Sequence, residues 1–361
     1  MSFERYEALR EKYADELKVK HYAAEGSIFQ VPVRSTPITP LDNFERFMKG
    51  EKILYHPNVQ EFLNVVPRVL PDNKARGLIS DEPVPVEELG GLDMFGVDWE
   101  YEAAVGGSMP RRGKVLVPDM EEWEKYIIIP KPQEWDWDHS KAINKTYIDE
   151  ALPINVTILT GLFERLISFL TFQEAAVAII DEDQKDAIHK FFAFACGVYD
   201  YIIGKYKECY NTKILTFHDD WGAQFAPLFS QDVIREMIAP YLKRVVDSAH
   251  RRGMYFEFHS CGRTETLVPI MIECGVDIYY PQTMNDIKKL HEKYGNQIKL
   301  GIPLTVSDDS VEEAVRAVDE FLETYAEHRN TLPRVDWNAA MPNPMMMEYL
   351  YCATREMFEE K

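Results

Sequence analysis

The sequence predicts a parallel α/β barrel, and three observations carry that expectation. From residue 213 onward, short apolar runs alternate with amphipathic helical stretches. Eight candidate strands can be counted over the chain, the number that closes a (β/α)8 TIM barrel. No Gly-rich dinucleotide loop follows any of them, which leaves the rival doubly wound open sheet without support.

The second half supplies five strands: "KILTF" (213–217), "MYFEFH" (254–259), "VDIYY" (276–280), "QIKLGI" (297–302) and "RVDWN" (334–338). Between the first two, Ser230 caps a helix whose inward stripe is Val233, Met237, Ile238, Tyr241, Leu242 and Val245; Pro240 is expected to bend it and Gly253 to end it. Helices are expected over 265–274 and 285–293, and a last one from about Met345. Ser310-x-x-Glu313 is a capping box opening a helix with Val311, Ala314, Val315, Val318 and Phe321 inward. This rhythm implies right-handed crossovers and a parallel sheet. Upstream, strands are expected at 52–56, 92–97 and 154–159. Residues 1–45 read as an N-terminal helical extension and 46–361 as the barrel. Within it, 100–150 reads as a hairpin insertion built from "GKVLVP" and "KYIIIPKP" with Trp123, Trp135 and Trp137.

Composition narrows the function classes. The chain carries a formal charge of −20 and shows no basic stripe, which disfavours nucleic acid and anionic lipid as partners. No run of apolar residues is long enough to span a membrane, and "MSFERYEALREKYADELKVK" lacks a signal-peptide core, so a cytoplasmic protein is expected. The five cysteines are scattered, which suits a reducing compartment rather than a disulfide framework. Cys196 and Cys274 read as core packing, as does the Met345–Met347 run.

In a parallel barrel, chemistry gathers at the C-terminal ends of strands. Strand 213–217 ends in "HDDWGAQ", placing His218, Asp219, Asp220, Trp221 and Gln224 in one loop. Paired carboxylates there can orient a substrate or act as acid and base, although one Asp would suffice as a turn cap. Strand 254–259 ends in "EFHSCG". Strand alternation puts Tyr255, Glu257, His259 and Cys261 on one face, toward the barrel interior. A His and a Cys on one side are a ligand pair suited to Zn²⁺, but a non-metal site or core packing gives the same pattern. Tyr280 and Gln282, and Trp337 and Asn338, follow the strands 276–280 and 334–338 and are candidates for the substrate rim.

The run "FHDDWGAQFAPLFSQDVIREMIAPYLKRVVDSAHRRGMYFEFHSCGRTETLVPIMIECGVDIYYPQTMNDIKKLHEKYG" closely resembles the uroporphyrinogen decarboxylase superfamily. More narrowly, it resembles the branch of cobalamin- and corrinoid-dependent methyltransferases. The resemblance implies a (β/α)8 barrel with its pocket at the strand C-termini. It also implies a methyl group exchanged between a small methyl donor or a thiol acceptor and a corrinoid carried by a partner protein. Zinc ligation by His259 and Cys261 follows from the same likeness. The branch's later Cys is absent: its place reads "WNAAMPNP", with Asn338 near it, and Cys352 lies further along on the next helix. Glu257 is then the expected third ligand. The decarboxylases' "RQAGRY" motif is missing, and Arg263 is the single nearby cation in the sequence. A carboxy-lyase using Asp219 or Asp220 therefore ranks second, and a non-catalytic corrinoid- or ligand-binding barrel third. A homodimer is the assembly expected.

Overall fold

A computed structural model of the chain describes residues 2–104, 106–325, 330–335 and 344–359. Among these, the first strands are β1 (Val19–Ala23), β2 (Val31–Arg34), β3 (Leu63–Val65), β4 (Gly90–Leu92), β5 (Asp98–Glu102) and β6 (Gly107–Pro110). They are followed by β7 (Ile154–Ile158), β8 (Ile214–His218), β9 (Tyr255–His259), β10 (Ile278–Tyr280), β11 (Lys299–Leu304) and β12 (Thr331–Val335). The fold class is the expected one, mixed α/β with a barrel-type sheet of parallel strands alternating with helices.

The chain forms two compact units, one of residues 1–63, 146–154 and 286–361, the other of 64–145 and 155–285. In the first, β1 and β2 form an antiparallel hairpin and β11 pairs in parallel with β12. Ser310 caps the helix Val311–Tyr325 as its sequence implies, accepting from the Glu313 N–H at 3.2 Å. The first 45 residues are not purely helical, because the hairpin follows the helices Ser2–Lys12 and Ala14–Leu17. The strand expected at 52–56 does not form. Asn43 accepts from Leu54 N at 3.0 Å and donates to Tyr55 O at 2.9 Å, occupying backbone groups that a ladder would use. The barrel strand is β3 instead.

The second unit holds the sheet order β3-β7-β8-β9-β10, with β7 to β10 parallel. Outward residues such as Leu215, Phe217, Phe256 and Phe258 are fully buried in the core. Ser230 caps the expected helix, and a π-helical turn over Ile234–Ile238 precedes Pro240. Such a wide turn helps a helix absorb a proline that can donate no hydrogen bond. Cys196 and Cys274 are buried, as expected.

Two upstream expectations are corrected here. The segment 92–97 is not a barrel strand. Asp93 folds it into a tight turn by accepting from Phe95 N and Val97 N, both at 2.9 Å, and β4, β5 and β6 form a small antiparallel sheet around that turn. The hairpin strands thus lie before residue 111, and "GKVLVP" and "KYIIIPKP" hold no strand. Trp123 packs on Phe191 and Phe194 instead. No helix among the described residues is long and apolar enough to cross a membrane.

Candidate metal centre and active site

The loops that follow β7, β8, β9 and β10 build the site, all within the second unit. Along β8, Thr216 and His218 share the inner face; along β9, Glu257 and His259 do. The register pairs Thr216 with Glu257 and His218 with His259, and β10 brings Tyr280 opposite His259. Three rings therefore stack across adjacent strand ends. The centroids of His218 and His259 are 5.0 Å apart with planes at 15°, and those of His259 and Tyr280 are 5.6 Å apart at 29°.

Cys261 closes this ladder. Its Sγ lies 3.8 Å from His218 Nε2 and 3.8 Å from His259 Nε2. Gly262, with φ of +80°, turns the chain away directly afterwards, and a Cβ there would meet Gly222 C at 2.2 Å, so the two loops cross backbone to backbone. The donor atoms of His218, His259 and Cys261 thus lie close enough together that they could hold a metal ion.

Two carboxylates flank His218. Glu164 Oε2 lies 2.9 Å from Nδ1, and Asp220 Oδ1 lies 3.3 Å from Nε2. Burial alone would lower the His218 pKa, but Glu164 and Asp220 override it and hold the imidazole well above its ordinary range. Burial would raise Asp220, yet its hydrogen bond and attraction to His218 hold it below the usual carboxylate range. Asp220 Oδ1 also accepts from Cys261 N at 2.7 Å, tying the β8 loop to the β9 loop. Burial pushes the Cys261 thiol up, against the pull of His218.

Several expected site residues fall elsewhere. Asp219 points to the helix layer, because it alternates with His218. It is fully buried, accepts from Glu164 N and from Trp221 Nε1, both at 2.9 Å, and caps the helix Leu162–Phe169, which has no side-chain cap of its own. Burial pushes its carboxyl up to about 7. Both oxygens of Asp219 are thus engaged within the fold. Trp221 is likewise fully buried, against Phe258, and does not line a pocket. Glu257 lies one layer beneath the ligand group, outside it. There Thr216 Oγ1 sits between Glu257 Oε1 at 3.1 Å and Asn155 Oδ1 at 2.9 Å, and Asn155 Nδ2 donates to Asn64 Oδ1 at 2.8 Å.

Gln282 accepts from Gly262 N at 2.6 Å and so holds the β9 loop rather than standing free on a rim. Gln224 is exposed at the tip of the β8 loop. Trp337 and Asn338 lie outside the described residues. Glu164 and Arg76 were not anticipated. Arg76 stacks on the Trp99 ring at 4.6 Å and reaches within 3.7 Å of Glu164 Oε1. An acidic residue in the first turn of a helix after a strand is a common sequence feature, so Glu164 carried no distinguishing signal.

The fold and this cluster define an α/β-barrel protein with a candidate N₂S metal centre at its strand ends. No protein-family model and no curated protein matches the chain. Among solved structures, it is similar to a methyltransferase from Methanosarcina mazei, with a TM-score of 0.60 and 14% identity over 89% of this chain and 99% of that one. At that identity the likeness is one of fold. An intracellular xylanase from Thermoanaerobacterium saccharolyticum matches with a TM-score of 0.35 and 12% identity, covering 59% of this chain and 76% of that one. A sugar phosphate isomerase/epimerase from Parabacteroides distasonis matches at 0.33 and 11%, covering 62% and 76%.

Proposed function

We propose that this protein is a methyltransferase of the uroporphyrinogen decarboxylase-like superfamily. It would move a methyl group between a small substrate or a thiol and a corrinoid protein, with zinc held by His218, His259 and Cys261. The observation that carries this reading is the convergence of those three side chains at the ends of β8 and β9, with Sγ 3.8 Å from each Nε2. Ligand atoms of a tetrahedral zinc site stand about 3.5 Å apart, so small side-chain adjustments suffice. Two imidazoles and a thiolate suit Zn²⁺, and three protein ligands leave a position for substrate. His218 takes the part that the resemblance assigned to a later Cys and that Glu257 was expected to fill.

When bound, Zn²⁺ would supply Lewis acidity that favours a deprotonated thiol or polarises a leaving atom. The protein's own groups do the rest. Methyl transfer is an in-line displacement, so donor and acceptor must be aligned. The hydrogen bond from Cys261 N to Asp220 holds the β8 and β9 loops in register for that alignment. The Asp220 carboxylate, beside His218 Nε2, is placed to hold or accept a substrate proton. Decarboxylation needs cations free to grip carboxylates, whereas Arg76 and Arg263 already face Glu164 and Glu265. That ranks the lyase reading lower.

The test is metal content after zinc loading of wild type, His218→Ala, His259→Ala and Cys261→Ser, followed by methyl transfer between methylcobalamin and thiols. One equivalent in wild type and marked loss in all three variants is expected. Equal, near-zero zinc in all four proteins would end the metal reading.

A further inference from the structure

Away from the strand-end site, the second unit holds a cluster of buried polar side chains between the segment that follows β3 and two helices. Asn73 belongs to the short helix Pro71–Ala75. Ser140 and Asn144 stand one turn apart on the helix Trp137–Asn144, and Tyr206 and Tyr210 one turn apart on the helix Glu182–Tyr210. These five are 2% exposed or less, and Asp81 beside them is 7% exposed.

Contacts run from one to the next. Asn144 Nδ2 donates to Asp81 Oδ2 at 2.6 Å and to Ser140 O at 2.9 Å, and Ser140 Oγ shares a hydrogen bond with the Tyr210 hydroxyl at 2.6 Å. The Tyr210 and Tyr206 rings lie 5.9 Å apart. Burial holds the Tyr206 pKa well above its ordinary value; Tyr210 adds to the rise and the neighbouring Asn73 side chain opposes it. Asn73 Nδ2 donates to Pro67 O at 2.8 Å, and Asp81 Oδ1 accepts from Arg68 N at 2.6 Å, so both ends of the cluster meet at residues 67–68.

Three oxygens are left over. Pro67 O and the Asp81 carboxylate accept, so the amide N–H groups of Asn73 and Asn144 face them and fix where each Oδ1 stands. Among the described residues, neither Oδ1 has a hydrogen-bond partner, and neither does the Tyr206 hydroxyl. Asp81 adds a buried charge whose donors, Arg68 N and Asn144 Nδ2, are both neutral. Burial pushes its carboxyl up despite those donors, and Glu82 adds to the rise. Buried polar groups are ordinarily paired, and a buried charge is paired or bound to a metal.

The geometry points to a site for one monovalent alkali cation among Asn73 Oδ1, Asn144 Oδ1 and the Tyr206 hydroxyl, with Asp81 as its counter-charge. Oxygen donors suit a hard cation, and a single carboxylate balances a single positive charge. One water could donate to both amide oxygens, but it would leave the Asp81 charge uncompensated. The ion clasps the segment after β3, which carries Arg76, to the helices Trp137–Asn144 and Glu182–Tyr210. The site shares no residue with the proposed zinc centre, and its test is independent of methyl transfer.

The full chain is melted at equal ionic strength in sodium, potassium and choline chloride, choline being too bulky to enter. Sodium or potassium is expected to raise the melting temperature saturably, by about 2–4 °C over choline, because a ligand that binds only the folded state stabilises it. Asp81→Asn removes the counter-charge, and Tyr206→Phe removes one ligand oxygen with little change of shape. Each is expected to melt at one temperature in all three salts. The melting curve in choline shows whether a variant folds, and either variant decides the matter if the other does not. In wild-type crystals soaked in thallium(I) acetate, an anomalous peak is expected beside Asn73 Oδ1, Asn144 Oδ1 and the Tyr206 hydroxyl. Equal melting of wild type in the three salts, an ion effect that survives the substitutions, or a water alone at the thallium-soaked site overturns the proposal.

Discussion

His218 and His259, on the ends of adjacent parallel strands, stack with ring centroids 5.0 Å apart and both aim Nε2 at Cys261 Sγ. A stack of two imidazoles sharing one thiol is not demanded by packing, since both positions are inner-face strand ends that an aliphatic side chain could fill. It concentrates three soft or borderline donors in one place, and the first prediction follows from it.

His218→Ala is expected to abolish zinc binding as completely as Cys261→Ser does. Glu257→Gln is expected to leave it intact, because Glu257 lies a layer below and is occupied with Thr216. Zinc stoichiometry after loading and desalting checks both. Zinc loss in Glu257→Gln with retention in His218→Ala would reverse the assignment.

The two adjacent aspartates are expected to separate cleanly. Asp220→Asn should lower methyl transfer about 100-fold with little change in melting temperature, the scale of a general acid–base group. Asp219→Asn should cost stability, about 1–3 kcal/mol, because its one amide oxygen cannot accept from both the Glu164 N–H and the buried Trp221 Nε1–H. Urea unfolding and turnover, measured on both variants, distinguish the roles.

Arg165→Met is expected to destabilise the protein by about 3–5 kcal/mol, since it strands Asp72 and Asp93 in the core without their cation. Adding Asp72→Asn and Asp93→Asn to the same chain should recover part of that loss. Chemical denaturation of the single and triple variants measures it.

His250 sits at the end of the helix Ala239–His250 with Nε2 2.7 Å from Asp277 Oδ2. The hydrogen bond to Asp277 raises its pKa. A raised folded-state value means the contribution is complete below the unfolded pKa, about 6.5, and fades as pH rises through the folded one. His250→Gln should therefore cost more stability at acidic than at alkaline pH. The pair is partly exposed and screened, so the difference should be about 0.5 kcal/mol or less. A larger deficit at alkaline pH would contradict the assignment.

Much of the site was legible before folding was considered. Alternation along "MYFEFH" placed His259 and Cys261 on one inner face, and in the structure Cys261 Sγ lies 3.8 Å from His259 Nε2. The same alternation applied to "HDDW" separates His218 and Asp220 from Asp219 and Trp221, a division that treating the run as one loop obscures. Glu257 was the third donor expected within the same strand, whereas the register of the neighbouring strand brings His218, not Glu257, to Cys261. Upstream, 52–56 has strand-like composition, but Asn43 claims its backbone groups, a contact that no local pattern announces.

The sequence by itself determined the α/β class, the parallel rhythm of the second half, and which residues of each strand face inward. These follow from periodicity, which is local. Only the tertiary structure decided that His218 stands beside His259, that Asp219 caps a helix instead of facing the site, and that Glu164 Oε2 comes within 2.9 Å of His218 Nδ1. Those relations depend on ladder register and on helix docking. Both are set by contacts between segments distant in the chain, where side-chain volume and buried hydrogen bonds choose among alignments that the local pattern leaves equal.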